Sequence, residues 1–396
     1  MPNEYRSSLP GSDRNVLMIL YGIGAIPVLI WVYLLIGRGQ FWRVATYRAP
    51  VLVPGASRRV AVVIPARDEA AVIGATVTSL ARQQFNGLIH LIVIDDGSTD
   101  GTAGAAAAAA RSCSALSRFT LLRGTAVPSG WTGKLWALSQ GVAATAQLDA
   151  DYLLFSDADI CHGLTSVASL VAGAEMQDRD LVSHMVKLST DTAVERLLIP
   201  AFVFFFCKLY PPRWIADPRR RLAGAAGGCM LIRPQALARA GGLQAVRSHI
   251  IDDCALARAI KDGGGRISLE LAKDSRSLRR YASFADIGAM ISRTAFAQLR
   301  HSYLLLSVTL VGLALTYLLP AGLIFSGDRI LLCMGLAALL LMSLCYLPTV
   351  RFYGLSPLWS LCLPPIALFY TAAVIHSAVQ YARGRGGKWK GRVQDA

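Results

Sequence analysis

Acidic residues are missing from a long stretch near the N-terminus of this 396-residue sequence. No Asp or Glu stands between the first apolar segment and Asp68, and Arg38, Arg43, Arg48, Arg58 and Arg59 lie in the same stretch. Basic residues next to an apolar segment favour the cytoplasmic side of a membrane. The stretch therefore predicts that the central part of the chain lies in the cytoplasm, against anionic lipid headgroups.

Signatures of nucleic-acid binding are also lacking. The chain has 40 Lys and Arg against 25 Asp and Glu, which gives a formal net charge of +15. Such an excess can indicate a nucleic-acid partner, but no nucleic-acid-binding fold signature and no interleaved basic and aromatic stripe accompanies it. We therefore expect no nucleic acid among the partners.

Cysteine and histidine pairs with metal-ligand spacing are absent. The eight cysteines are scattered without a CxxC pair, and several stand in apolar runs. This pattern predicts reduced, buried thiols. The six histidines show no metal spacing and are expected to be structural or at the surface. A metal site, if present, must use other ligands.

Long apolar runs, in contrast, are abundant in a chain that is 54% hydrophobic. Residues 15–36, 303–325, 330–350 and 358–379 are nearly uncharged and long enough to span a bilayer. No small-x-small cleavage site follows the first segment, which predicts an uncleaved anchor rather than a signal peptide. The chain is expected to be a multi-pass protein of the inner (cytoplasmic) membrane. A transporter would need ionisable residues within the spans, and little beyond His376 is available.

The number of spans is left open by the sequence. One span before the central region and three after it would place the C-terminus outside. The tail nevertheless carries basic residues that favour the inside: Arg383, Arg385, Lys388, Lys390 and Arg392. Pro364 and Pro365 could split the last segment or make it re-entrant.

The central region is predicted to be an α/β domain, because strand and helix signals alternate along it. We predict an anchor with its juxtamembrane segment at 1–57, an α/β domain at 58–281, an amphipathic interfacial helix at 282–301, and a membrane bundle with a basic tail at 302–396. The apolar run 197–206 is too short to cross a bilayer. It is expected to be a core helix or to lie in the membrane interface.

Acidic residues follow three apolar strands of this domain, and the run Asp157-Ala158-Asp159 is the most informative of them. The other two clusters are Asp95-Asp96 and Asp68-Glu69. Ligands of open parallel sheets bind beyond the carboxyl ends of the strands, so the clusters are expected to converge on one crevice. Asp157 and Asp159 can share a divalent cation, Mg²⁺ or Mn²⁺, with water and a nucleotide diphosphate completing its shell. A solvated turn or helix cap is the alternative reading.

Two other motifs are assigned to the donor. Asp95 and Asp96 are costly beyond a buried strand without partners. A carboxylate can accept the imide N–H of uracil or the ribose hydroxyls, so we assign this pair to a nucleoside. Lys134 opens a helix after the turn Gly130-Trp131-Thr132-Gly133 and could meet a phosphate there. A turn packed by its tryptophans is the alternative.

The acceptor side is predicted from the second half of the domain. Gly227, Gly228 and Cys229 lead into a strand, and glycine lets a sugar or an acceptor approach the backbone. Plain turn geometry is an equal alternative there. Asp252 and Asp253 open a helix, where one acid would suffice for capping and the second can serve as a general base.

These motifs resemble family 2 glycosyltransferases in order and rough spacing. The resemblance covers about 60–267 and rests on Pro65-Ala66-Arg67-Asp68-Glu69, Asp95-Asp96-Gly97-Ser98, Asp157-Ala158-Asp159, Gly227-Gly228 and Asp252-Asp253. It implies a GT-A (Rossmann-like) fold and inverting transfer from a nucleotide sugar, most often a UDP-sugar. It also implies nucleotide binding at Pro65, Ala66, Arg67 and Glu69.

A narrower resemblance extends over most of the chain. The segments 130–137, 198–205, 217–221 and 251–258 are similar to the hopene-associated glycosyltransferases of bacterial hopanoid clusters. This implies a lipid acceptor in a hopanoid or isoprenoid context. The common Thr-Glu-Asp motif is Ile251-Asp252-Asp253 here, which by position makes Asp253 the base.

The membrane-proximal motif of processive synthases is only partly present, as Gln298-Leu299-Arg300-His301. Arg300 is therefore a weak candidate for diphosphate contact. Transfer to a polyprenyl phosphate is the alternative reaction, for which Arg219-Arg220-Arg221 could bind the acceptor phosphate. A non-catalytic membrane scaffold with a transferase-like domain is the alternative of another class.

Overall fold

The chain folds into two compact units, which a computed structural model describes at residues 11–44, 46, 57–384, 388–389 and 392–393. The first unit comprises residues 1–43, 196–208 and 285–379, and the second comprises 44–195, 209–284 and 380–396. Arg48, Arg385 and Lys390, which entered the topology argument, lie outside the described residues.

The second unit is built on an eight-stranded sheet. Its strands are β1 Arg58–Ala66, β2 Gly87–Asp95, β3 Phe119–Arg123, β4 Tyr152–Ser156, β5 Ile160–Cys161, β6 Leu181–Lys187, β7 Cys229–Ile232 and β8 Ile267–Ser277. Its helices are α2 Ala70–Ala81, α3 Thr102–Ser112, α4 Gly133–Ala144, α5 Ser166–Met176, α7 Pro212–Ala216, α8 Pro234–Arg239 and α9 Asp252–Asp262. A short antiparallel pair, β9 Lys388–Trp389 and β10 Arg392–Val393, follows near the C-terminus.

The order of the sheet is β3-β2-β1-β4-β7-β6-β8-β5. Strands β3, β2, β1 and β4 pair in parallel with one another, whereas β7 pairs antiparallel with both β4 and β6. Parallel strands with helices on both faces are buried on both sides, which explains their continuous apolar runs. Val62, Leu91 and Leu154 of three adjacent strands are accordingly almost inaccessible to solvent. The parallel half aligns the carboxyl ends of β1, β2 and β4 at one edge.

The loops after β1 and β2 are joined by hydrogen bonds. Asp68 has a left-handed backbone with φ of 51°, and its carboxylate accepts from the Thr99 amide at 2.9 Å. The Ala70 amide, at the start of α2, donates to Asp100 Oδ2 at 2.9 Å. Glu69 therefore holds the N-cap position of α2, and Asp100 supplies the accepting carboxylate.

The first unit contains the apolar helices. They are α1 Gly11–Ile36, most of α6 Ala193–Leu209, α10 Phe284–Gln298, α11 Tyr303–Leu313, α12 Leu319–Leu323, α13 Arg329–Phe352 and α14 Leu363–Ala382. A π-helical turn, Ala314–Leu318, joins α11 to α12. Within the described residues, four helices are long and apolar enough to cross a membrane: Arg14–Ile36, Tyr303–Leu323, Arg329–Phe352 and Pro357–Ala382. They correspond to the four segments expected from the sequence.

Helix α6 groups with these apolar helices over Arg196–Lys208. The sequence-based range 58–281 had included this run in the α/β domain. Its aromatic residues explain the difference, because Phe204 packs on Tyr346 at 5.1 Å between ring centroids and Phe205 packs on Tyr370 at 4.7 Å. Tyr370 also donates to Leu198 O at 2.9 Å. Of the two expectations for this run, the structure shows a helix packed among apolar helices.

Candidate active site

The predicted acids gather at the carboxyl edge of the parallel strands in the second unit. Asp157 directly follows β4, and Asp96 directly follows β2. Asp252 and Asp253 form the first turn of α9. Three basic residues, Lys134, Arg67 and Arg279, form separate ion pairs with these acids and with Asp159 and Glu69. These ion pairs are together called the charged network.

Lys134 pairs with the acid after β4 and with the first acid of α9. Its ammonium group is 2.9 Å from Asp157 Oδ1 and 3.4 Å from Asp252 Oδ2. Thr132, the N-cap of α4, accepts from Leu135 N and fixes the start of the helix that carries this lysine. Burial alone would lower the pKa of Lys134, but Asp157, Asp252 and Asp253 outweigh burial and raise it. Lys134 is therefore a permanent cation between the strand-end acid and the helix-start acids.

Asp253 is held by backbone donors. The Gly227 amide donates to Asp253 Oδ2 at 2.8 Å, and the Cys254 amide donates to Oδ1 at 2.7 Å. Burial and the like charge of Asp252 raise the pKa of Asp253 to about 6, against the lowering effect of Lys134 and of these hydrogen bonds. A carboxylate with a pKa near working pH is suited to accept a proton as a general base. Neither Asp252 nor Asp253 serves as a side-chain N-cap, because Ile251 holds that position.

Gly227 allows Asp253 and Lys134 to approach the backbone. A Cβ atom at this position would lie 3.2 Å from Asp253 Oδ2 and 3.3 Å from Lys134 Nζ. At Gly228 a Cβ atom would meet only ordinary contacts, the nearest at 3.4 Å to Ile160. A side chain at position 227 would therefore crowd Asp253 and Lys134, whereas a side chain at position 228 would not.

The side chain of Cys229 is fully buried in β7 within the core cluster that includes Leu154 and Leu231. Burial, followed by the charge of Asp157, raises the pKa of the Cys229 thiol to about 12. Cys229 can therefore meet an acceptor only through its backbone, and its acceptor-side role stays a prediction.

Arg67 and Asp96 form a second part of the charged network. Arg67 Nη1 donates to Asp96 O at 2.9 Å and lies 3.4 Å from Asp96 Oδ2, and Asp96 is only 3% exposed. Asp95 ends β2 and accepts from the Ser98 amide at 3.2 Å. The side chains of Pro65 and Ala66 are buried in β1, so these two residues can serve a nucleotide only by placing Arg67 and the loop that follows.

Arg279 was not predicted from the sequence. It stands two residues after β8, and its guanidinium pairs with Asp159 Oδ2 at 3.0 Å and Glu69 Oε1 at 2.7 Å. Ser277 also donates to Asp159 Oδ2, at 3.1 Å. These two acids outweigh burial and raise the pKa of Arg279. The rule that found the acids, a polar residue beyond a strand end, would have found Arg279 had it been applied to cations.

A divalent cation fits the donor chemistry of Asp157 and Asp159. One oxygen of each carboxylate is engaged by a basic residue, which leaves Asp157 Oδ2 and Asp159 Oδ1 as hard oxygen donors. Within the part of the chain that the structure describes, no group of three His, Cys, Asp or Glu side chains could hold a metal. Mg²⁺ is commonly bound by one or two carboxylates together with substrate phosphates rather than by an all-protein cage. The residues therefore suit a cation that binds together with a diphosphate.

Arg300 belongs to the first unit, at the turn after α10, and has a left-handed backbone with φ of 52°. The charged network described here is built wholly from the second unit. The role of Arg300 in diphosphate contact stays a prediction from the sequence.

The α/β sheet is parallel in one half and has acids at the carboxyl ends of its parallel strands. This arrangement is a GT-A, Rossmann-like fold. Residues 61–239 match the family model described as glycosyl transferase family 2. The central region thus matches the model of family 2 glycosyltransferases over less than half of the chain, and the chain is an enzyme of the glycosyltransferase class.

One solved structure supports the fold, and a second is reported as similar over part of the chain. A mannosyltransferase from Pyrobaculum calidifontis, in complex with GDP-Man and Mn²⁺, is similar with 16% identity and a TM-score of 0.55, over 93% of this chain and 98% of that one. Glucosyl-3-phosphoglycerate synthase from Mycobacterium tuberculosis, in complex with Mn²⁺, UDP and phosphoglyceric acid, shows 20% identity and a TM-score of 0.42, over 65% and 85% of the two chains. No curated protein matches the chain.

Proposed function

We propose that the protein is a membrane-bound inverting glycosyltransferase that moves a sugar from a nucleotide-diphosphate donor to a lipid acceptor. The observation that carries this proposal is the position of Asp253, 2.8 Å from the Gly227 amide and beside Lys134, in a domain of the glycosyltransferase class. A base of this kind suits a hydroxyl acceptor, which must lose a proton to attack.

In the proposed reaction Asp253 accepts the proton of the acceptor hydroxyl, whose oxygen attacks the anomeric carbon as the nucleotide diphosphate departs. Asp252 and Lys134 set the charge around this base. Lys134 and Arg279 are positioned beside the acids that would face the diphosphate and can neutralise part of its charge. Asp95, Asp96, Arg67 and Glu69 would hold the nucleoside side.

Asp157 and Asp159 would hold a Mg²⁺ or Mn²⁺ ion, which when bound supplies positive charge to the leaving diphosphate. The neighbouring structures that carry GDP-Man or UDP with Mn²⁺ agree with a nucleotide sugar and a divalent cation as the ligands of this chain. A UDP-sugar is the proposed donor.

The four apolar helices support a lipid acceptor, since an enzyme held at a bilayer meets its acceptor at the headgroup layer. We propose a multi-pass protein of the cytoplasmic membrane with the transferase domain in the cytoplasm, on the strength of the arginine-rich stretch after the first span. The motif resemblance favours a hopanoid or isoprenoid lipid as the acceptor class.

The test is the incubation of membranes containing the protein with a panel of radiolabelled nucleotide sugars, followed by lipid extraction and mass measurement. We expect one sugar to appear on a neutral lipid only when the protein and a divalent cation are present. Label on a polyprenyl phosphate would favour the alternative reaction. No labelled lipid and no donor hydrolysis with any sugar would favour the scaffold and contradict the proposal.

A further inference from the structure

A lysine without a carboxylate partner lies in the first unit, near the end of α6. Lys208 Nζ donates to the Tyr317 hydroxyl at 2.8 Å and lies over the rings of Tyr317 and Phe205, 4.8 and 5.3 Å from their centroids. Among the described residues no acidic side chain pairs with this ammonium group. Its positive charge is therefore only partly compensated, by a hydroxyl and two aromatic faces.

A second cation lies beside it. Arg38 Nε donates to the Lys208 carbonyl oxygen at 3.1 Å, in the last turn of α6. Burial and then the charge of Arg38 lower the pKa of Lys208 to about 8, so the lysine is still protonated at neutral pH. A like charge beside the partly buried ammonium group of Lys208 is unfavourable, and an anion bound to Lys208 would offset it.

The surroundings of Lys208 are held rigidly. Tyr317 stands in the π-helical turn Ala314–Leu318, a kind of distortion that often accompanies functional sites. Its ring packs edge-on against Trp31 at 5.5 Å, and Trp31 Nε1 donates to Thr316 O at 2.8 Å. The Tyr317 hydroxyl, which accepts the hydrogen bond from Lys208, is thus held in place by the contacts of this turn with Trp31 of α1.

The sequence position of Arg38, just beyond an apolar helix, is one where lipid headgroups are expected. Arg38 stands two residues beyond the end of the candidate span Arg14–Ile36. Basic pockets at the ends of membrane helices bind the phosphate of anionic lipids. An ammonium and a guanidinium provide the donors that phosphate oxygens accept from, and the buried Tyr317 hydroxyl orients the ammonium group.

We propose that Lys208, Arg38 and Tyr317 form a binding site for the phosphate group of a lipid. The site is separate from the acids of the transferase domain and its argument does not use sugar transfer. Its phosphate can come from an ambient anionic phospholipid or from a polyprenyl monophosphate, and the experiment distinguishes these sources.

The test uses the full chain in detergent micelles, with three probes: phosphatidylglycerol, a polyprenyl monophosphate and inorganic phosphate. Native mass spectrometry gives the affinity of each, without any nucleotide sugar. We expect Lys208→Met to weaken lipid binding by about tenfold or more, the loss of one charge-assisted hydrogen bond, while Lys208→Arg changes it by less than about threefold. Arg351→Gln removes an exposed basic residue of α13 in the same unit and is the matched control, expected to bind as the parent.

Binding of phosphatidylglycerol would identify an ambient lipid, and binding of the polyprenyl monophosphate alone would identify a specialised one. Equal lipid affinity of Lys208→Met and the parent would overturn the proposal, as would inorganic phosphate binding as tightly as either lipid. Should Lys208→Met fail to fold, Tyr317→Phe removes only the hydroxyl and is expected to lose affinity severalfold. Because no sugar donor is present, failure here leaves the proposed transfer untouched.

Discussion

The charges around Asp253 predict that two substitutions move its pKa in opposite directions. Lys134→Met removes the cation that lowers this pKa, and Asp252→Asn removes the like charge that raises it. If Asp253 must be ionised to accept a proton, kcat/KM of the parent falls as the pH drops through about 6. The acid limb of the profile should therefore move to higher pH in Lys134→Met and to lower pH in Asp252→Asn.

The magnitude follows from the geometry at Gly227. One Cβ position there lies within 3.3 Å of both Asp253 Oδ2 and Lys134 Nζ. The two charges are thus less than about 7 Å apart, where an effective dielectric constant of about 20 to 40 gives an attraction of about 1 to 2 kcal/mol. Since one pKa unit corresponds to about 1.4 kcal/mol, we expect the acid limb to move by roughly one pH unit.

The assay is the pH dependence of kcat/KM for donor consumption, which reports the ionisation of the unliganded enzyme. Lys134→Met should also reduce the height of the profile through its lost contact with the donor, but only the position of the acid limb tests the electrostatic argument. Lys273→Met, at an exposed lysine of β8, is the control and should leave the position unchanged. Acid limbs that move the same way in both variants, or in neither, would refute the assignment of Asp253.

Two further substitutions probe the rest of the site. Gly227→Ala should lower kcat by roughly 10- to 100-fold, because its Cβ would displace Asp253. The thermal midpoint should stay near that of Gly104→Ala, whose Cβ meets nothing within 4 Å, and a kcat equal to the parent would show that the close approach is not needed. Arg279→Gln should lower the Mn²⁺ concentration for half-maximal activity, because Asp159 loses its paired cation. The stability cost should stay below about 1 kcal/mol, since this arginine is 40% exposed; a higher Mn²⁺ requirement would contradict the pairing.

The parallel half of the sheet and its acids could be predicted from the sequence. The apolar runs before Asp96 and Asp157 are continuous because parallel strands are buried on both faces. In a parallel sheet the ends of such runs coincide at one edge. The four apolar helices were predictable for a similar reason, because length and lack of charge suffice to recognise them.

Pairings between distant segments were not predictable in the same way. Arg279 meets Glu69 across 210 residues, and nothing local to either marks the other as its partner. Helix α6 carries an apolar run that fits a domain core and a membrane unit equally well, so only its packing on Tyr346 and Tyr370 decides. The glycines before Cys229 suggested an open loop, whereas β7 begins at this residue and buries its side chain.

The most direct measurement is a single-turnover experiment on Asp253→Asn together with calorimetric titration of the donor. Asp262→Asn, at an exposed acid of the same helix, is the matched control. If Asp253 is the base, the variant should bind the nucleotide sugar within about threefold of the parent and transfer it roughly 10²- to 10⁴-fold more slowly, while the control behaves as the parent. Transfer by Asp253→Asn at the rate of the parent would show that the proton goes elsewhere.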